Sequence, residues 1–126
     1  MFLIGDIVEI YAPIAGHKKY HLCVCGKDVN DVLRFLFINS HDGFEADFPI
    51  DDSLLPCLPK SPTGQSVFCC NMIVIYNARQ LTLYNAVKLG TLSKEVALGL
   101  FKHTQSTKAL NDKEKALVIG ALESLI

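Results

Sequence analysis

Near residue 80 this chain changes its hydrophobic period, and that change limits the folds open to it. Before it, short apolar runs alternate with clusters of turn-forming residues. "DIVEIYA" from Asp6, "YHLCVC" from Tyr20 and "VLRFLFINS" from Val32 are rich in β-branched and aromatic side chains, as strands are. "GFEADFPI" from Gly43 alternates Phe44, Ala46 and Phe48 against Glu45 and Asp47. "SVFCCNMIVIY" from Ser66 is long enough for two strand segments or one bent strand. Pro13 and Gly16, the stretch from Gly26 to Asn30, His41-Asp42-Gly43 and the three-proline segment "LPCLPKSPTGQ" punctuate these runs.

After residue 90 the pattern is helical. "LSKEVALGLFKH" sets Val96, Ala97, Leu100 and Phe101 on one stripe with Ser93 as N-cap, and its Gly99 weakens a helix by about 1 kcal/mol relative to Ala. In "NDKEKALVIGALESLI", Asn111 and Glu114 have capping-box spacing, and Leu117, Val118, Ala121, Leu122 and Leu125 form the apolar stripe. Strands followed by amphipathic helices imply an α+β fold, mainly β, with the strands rolled into a small barrel. The apolar join from Leu83 to Leu92 is too short for an interdomain linker. One domain over residues 1–126 is expected, with the barrel in 1–80 and the closing helices in 91–126.

At 126 residues, half of them hydrophobic, the chain can bury a core without a metal or disulfide. Its net charge of −1 is unlike that of a general nucleic-acid binder, so any polyanion must be met by a local patch. The best patch is "HKKYH", residues 17–21, at the head of an apolar run. The five cysteines (23, 25, 57, 69 and 70) lack CxxC spacing and read as free thiols in a reducing cytoplasm, without a metal or other cofactor. No apolar run approaches the ~18 residues of a membrane span.

The order of these pieces resembles the MazF/PemK family of toxins from type II toxin–antitoxin systems. "GDIVEIYAPIAGHKKYHLCVC" is similar to that family's first hairpin, where a basic residue leads into an apolar strand. "LPKSPTGQSVFCCNMIVIYNARQL" follows its Leu-Pro, Thr-Gly and Ser-Val order, and "LGTLSKEVALGLFKH" resembles its closing helix. The resemblance implies an SH3-like barrel of the CcdB/PemK type, usually a homodimer. It also implies metal-independent cleavage of single-stranded RNA and restraint by a cognate antitoxin. Lys19 stands where the family has Arg, and Ser40 matches its Ser or Thr after the third strand. Where the family often carries Arg-Thr-Ile-Asp, this chain reads Val74-Ile75-Tyr76-Asn77.

Metal-free RNA cleavage needs a base for the 2′-hydroxyl, donors that steady the phosphorane and an acid for the leaving 5′-oxygen. Histidine, with an ordinary pKa near ~6.5, suits the proton work. The expected catalytic residues are Lys19, Ser40, His17 and His21, with Lys18, Tyr20 and His41 binding RNA and Asp42 nearby. The competing readings are a solvated charged turn at residues 17–19 and a turn-capping role for Ser40. Phe44 and Phe48 read as core, the cluster Glu45, Asp47, Asp51 and Asp52 as solvent-facing, and His103 as a helix C-terminal charge. A barrel without a working site, binding RNA or protein, is the alternative function, and a toxin against a protein such as gyrase is a third.

Overall fold

The computed structural model describes residues 1–41 and 43–126. In chain order the elements are β1 (Asp6–Ala12), β2 (His17–Cys25), β3 (Val32–Asn39), β4 (Phe48–Asp51), a single 3-10 turn (Asp52–Leu54), β5 (Gln65–Phe68), β6 (Val74–Asn77), α1 (Ala78–Leu83), β7 (Val87–Thr91), α2 (Lys94–Ser106) and α3 (Asp112–Glu123). The fold is α+β and mainly β, a curled antiparallel half-barrel sheet with three helices. Its strand order is β4-β5-β3-β2-β1-β7, and β6 also pairs with β3. The apolar stretch from Ser66 forms two segments on one edge of β3: β5 meets Ile38 and Asn39, and β6 meets Val32 to Phe35.

Period-two alternation sorts most of the buried side chains into two main cores, beside a small cluster of Ala12, Phe37 and Cys69. Ile7, Leu22, Leu36 and Phe68 face a large core closed by Val96 and Leu100 of α2 and Val118 and Leu122 of α3. Val8, Ile10, Cys23, Leu33 and Phe35 face a smaller one with Tyr76 and Leu81 of α1. β3 is buried on both faces, so its sequence is a near-continuous apolar run. The curl brings the segment after β4 against β7. A side chain at Gly90 would put its Cβ 2.7 Å from Cys57 Cβ. Gly99, unfavourable within a helix, has a similar reason: a Cβ there would lie 3.2 Å from Phe48 Cζ, so the glycine lets α2 settle on β4.

Both helix caps expected for α2 and α3 form. Ser93 accepts from the Val96 amide, and Asn111 and Glu114 complete a capping box. The join from Leu83 to Leu92 contains more structure than its sequence suggested, since β7 returns through it to pair with β1. A second capping box, Asn77 with Gln80, starts α1. That spacing was legible but lay beneath an apolar strand pattern.

The segment from Gly43 differs from the alternating strand expected there. Asp47 Oδ2 accepts from the amides of Gly43 and Phe44, and this local capping competes with a ladder. The strand therefore begins only at Phe48. Phe44 is 64% exposed rather than core, and Asp47 is 6% exposed rather than solvent-facing. Asp47 Oδ1 has no hydrogen-bond partner among the described residues. His103 lies in the last turn of α2 as expected, and it is also tied down there: its Nε2–H donates to the Ala46 carbonyl at 2.6 Å, and its ring lies 5.0 Å from that of Phe48.

Candidate functional site

The basic residues after Gly16 belong to a strand and not to the hairpin loop. The turn is Pro13 to Gly16, with Gly16 at φ +74°, and β2 begins at His17 opposite Ala12. Lys18 and Lys19 pair with Tyr11 and Ile10 of β1. On the other side, the β3 ladder starts only at Tyr20, opposite Ile38. Lys19 therefore lies level with Asn39, the last residue of β3, His17 and Lys18 project beyond that strand, and a cleft of about 560 Å³ opens there.

Three segments distant in sequence line this cleft. His17, Lys18, Lys19 and Tyr20 come from β2, Asn39, Ser40 and His41 from the end of β3 and the corner after it, and Leu58 to Pro62 from the loop after β4. Six of the seven expected site residues meet here, and Asp42 lies outside the described residues. The loop contributes Lys60, which sequence reasoning missed. Its signal was a lysine between two prolines, a rigid setting for an exposed charge.

His21 is the exception. It is 0% exposed, and β3 and the smaller core enclose it. Its ring lies 4.9 Å from Phe37 and 5.6 Å from Tyr76. Burial holds its pKa down at about 4, and the Lys19 charge adds in the same direction. The hydrogen bonds fix the tautomer. Nδ1 faces the Lys19 carbonyl at 2.9 Å and must donate, so Nε2 accepts from the Tyr76 hydroxyl at 3.0 Å. His21 is a satisfied core histidine and no part of the cleft.

Lys19 has the most distinctive setting. Its ammonium donates to Asn39 Oδ1 and sits 4.4 Å from the Phe37 ring centroid. Burial pushes its pKa below the usual lysine value. Among the described residues no carboxylate pairs with it, and none lines the cleft. A partly desolvated cation held by a neutral amide and an aromatic face can still accept an anion. Lys18 is more exposed and 3.9 Å from Glu9. His17 Nδ1 donates to the Lys18 carbonyl at 2.7 Å, which leaves Nε2 as the basic nitrogen of the neutral ring. Ser40 is half-buried, and the Thr63 hydroxyl donates to its carbonyl at 2.5 Å.

Cys69, Cys70 and Cys23 are buried, and Cys25 and Cys57 half-buried, all as free thiols. Burial pushes Cys23 and Cys70 up to about 12, far from a reactive thiolate. Cys69 and Cys70 follow the end of β5 and pack apart, Cys70 in the large core and Cys69 in a small cluster with Ala12 and Phe37. Among the described residues no three His, Cys, Asp or Glu side chains are grouped to hold a metal ion, and no helix is long and apolar enough to cross a membrane.

No family model, curated protein or solved structure matches this chain.

Proposed function

We propose that the cleft binds single-stranded RNA and cleaves it without a metal, as the ribonuclease toxins that the sequence resembles do. The observation that carries this reading is the convergence of Lys19, His17, Ser40 and His41 around a cleft with no described carboxylate. In this reading His17 Nε2 takes the proton of the 2′-hydroxyl as its oxygen attacks phosphorus. Lys19 and the Ser40 hydroxyl steady the phosphorane oxygens, and His41 gives a proton to the departing 5′-oxygen. The products are a 2′,3′-cyclic phosphate and a 5′-hydroxyl. Tyr20 offers a face for an unpaired base. The same reading carries an SH3-like barrel of the CcdB/PemK type, a homodimer and a cognate antitoxin that blocks the cleft.

The test is purified protein incubated with single-stranded RNA in EDTA. Fragments ending in cyclic phosphate are expected, and Lys19→Ala should lower the rate by about 10²–10³, roughly 3–4 kcal/mol of barrier. Equal rates for parent and variant would remove Lys19 from the chemistry. One observation favours a second reading, in which the cleft grips RNA without cutting it. Burial removes His21 from the proton-transfer set and leaves only exposed histidines for that work. Binding without cleavage by the parent would establish that reading instead.

A further inference from the structure

The loop after β4 fixes the backbone around its one lysine. Leu55 is buried in the large core and Leu58 packs against it. The Leu58 amide donates to the Leu55 carbonyl at 3.0 Å. Asp52 Oδ2 accepts from the Ser61 amide at 2.9 Å, and the Ser61 hydroxyl donates to the Gln65 carbonyl at 2.6 Å. Thr63 ties the loop to Ser40. Pro59 and Pro62 restrict the backbone on either side of Lys60. Lys60 is exposed on the cleft, and among the described residues no carboxylate pairs with it. A fixed backbone, an ammonium that no described carboxylate pairs and a cleft already carrying Lys18 and Lys19 are the ingredients of a second anion contact. They place it on the side of the cleft that the strands do not form.

We propose that Lys60 holds a phosphate flanking the one met by Lys19, so that the site prefers a strand of several nucleotides to a dinucleotide. This inference rests on the reading of the cleft as an RNA site. Lys60 is a binding residue here and takes no part in bond breaking. Its contribution should therefore appear in KM and not in kcat.

The experiment compares cleavage of a dinucleotide and a tetranucleotide in EDTA by the parent, Lys60→Ala and Lys60→Arg. For the tetranucleotide, Lys60→Ala should raise KM about tenfold at unchanged kcat, the scale of one charge-assisted hydrogen bond. It should also flatten the salt dependence of log KM by about 0.7, one phosphate on a single strand. The dinucleotide should be unaffected, and Lys60→Arg should restore the tetranucleotide KM. An unchanged KM, or an equal loss on both lengths, would overturn the proposal. If the parent binds but does not cut, fluorescence anisotropy with the same two oligonucleotides decides by the same criterion. If the parent neither binds nor cuts RNA, the RNA reading itself fails and the role of Lys60 fails with it. The parent reports on the reading, and the variant reports on Lys60.

Discussion

His17 and His21 stand four residues apart on one strand and share a face, yet they occupy opposite chemical worlds. His17 is exposed beside a cleft, with Nε2 directed away from its own backbone bond. His21 is fully buried among aromatic rings, with both nitrogens engaged. The boundary between them is the end of the β3 ladder. At His21 both neighbouring strands are present, β1 through Val8 and β3 through Phe37. At His17 only β1 remains. The inner half of β2 is therefore scaffold and its outer half is surface, and Lys19 lies at the transition, half-buried and reaching outward. The presence of a flanking strand, rather than residue type, decides whether a histidine on this face is available for chemistry.

Truncating each histidine sets the two halves furthest apart. His21→Ala removes a buried aromatic ring and leaves the Tyr76 hydroxyl and the Lys19 carbonyl without their partner. The expected loss is about 3–5 kcal/mol of folding stability. His17→Ala should stay within about 0.5 kcal/mol, as exposed substitutions do. Urea midpoints of the two variants measure the difference. Comparable losses would mean that the ladder boundary does not divide the strand energetically.

Much of this was legible before any coordinates. Alternation placed His21 with Cys23 and Leu22 with Val24, and those pairs do enter different cores. The caps at Ser93 and Asn111 were readable because capping is local. The cleft was only half readable. The resemblance and the residue types brought 17–21 and 40–41 together, but alternation carries no information on where a neighbouring strand stops. It could assign His21 a face and not a depth. Lys60 stayed hidden because its place in the cleft depends on how a proline-rich loop returns across the sheet. The strand expected from Gly43 failed because Asp47 satisfies two amides that a ladder would otherwise have used.

Acid should act on the inner half of β2 by a smaller amount. The folded-state pKa of His21, about 4, lies below its ordinary value of 6.5. Between those values the unfolded chain binds a proton that the native protein refuses, so stability is complete above about pH 6.5 and falls as pH drops toward 4. A shift of this size corresponds to about 3 kcal/mol across the window. The Asp28 and Asp51 carboxyls are held below their ordinary pKa, Asp28 chiefly by Arg34 and Asp51 by Ser53. Their contributions are lost at lower pH, beneath the His21 window. Urea midpoints from pH 7 to 4.5 should show the slope, and His21→Asn should flatten it. A flat profile in the parent would show that native His21 takes up its proton as readily as the unfolded chain does, so that burial does not lower its pKa.

The smallest effect tests whether the two halves are independent. Tyr76→Phe keeps the ring that packs against Phe35 and Tyr84 and removes only the hydroxyl that donates to His21 Nε2. Nδ1–H remains committed to the Lys19 carbonyl, so Nε2 becomes a buried acceptor without a donor. The expected cost is about 1–2 kcal/mol. The cleft should not register the change, because the Lys19 ammonium is held by Asn39 and Phe37 and not by His21. RNA cleavage or binding by Tyr76→Phe should match the parent within about twofold at temperatures where both are folded, well under the tenfold that 1.36 kcal/mol would give. A tenfold loss at intact fold would mean that the buried His21–Tyr76 pair positions Lys19 through its backbone. The inner half of β2 would then belong to the site, and the division drawn at the end of β3 would have to move inward by at least two residues.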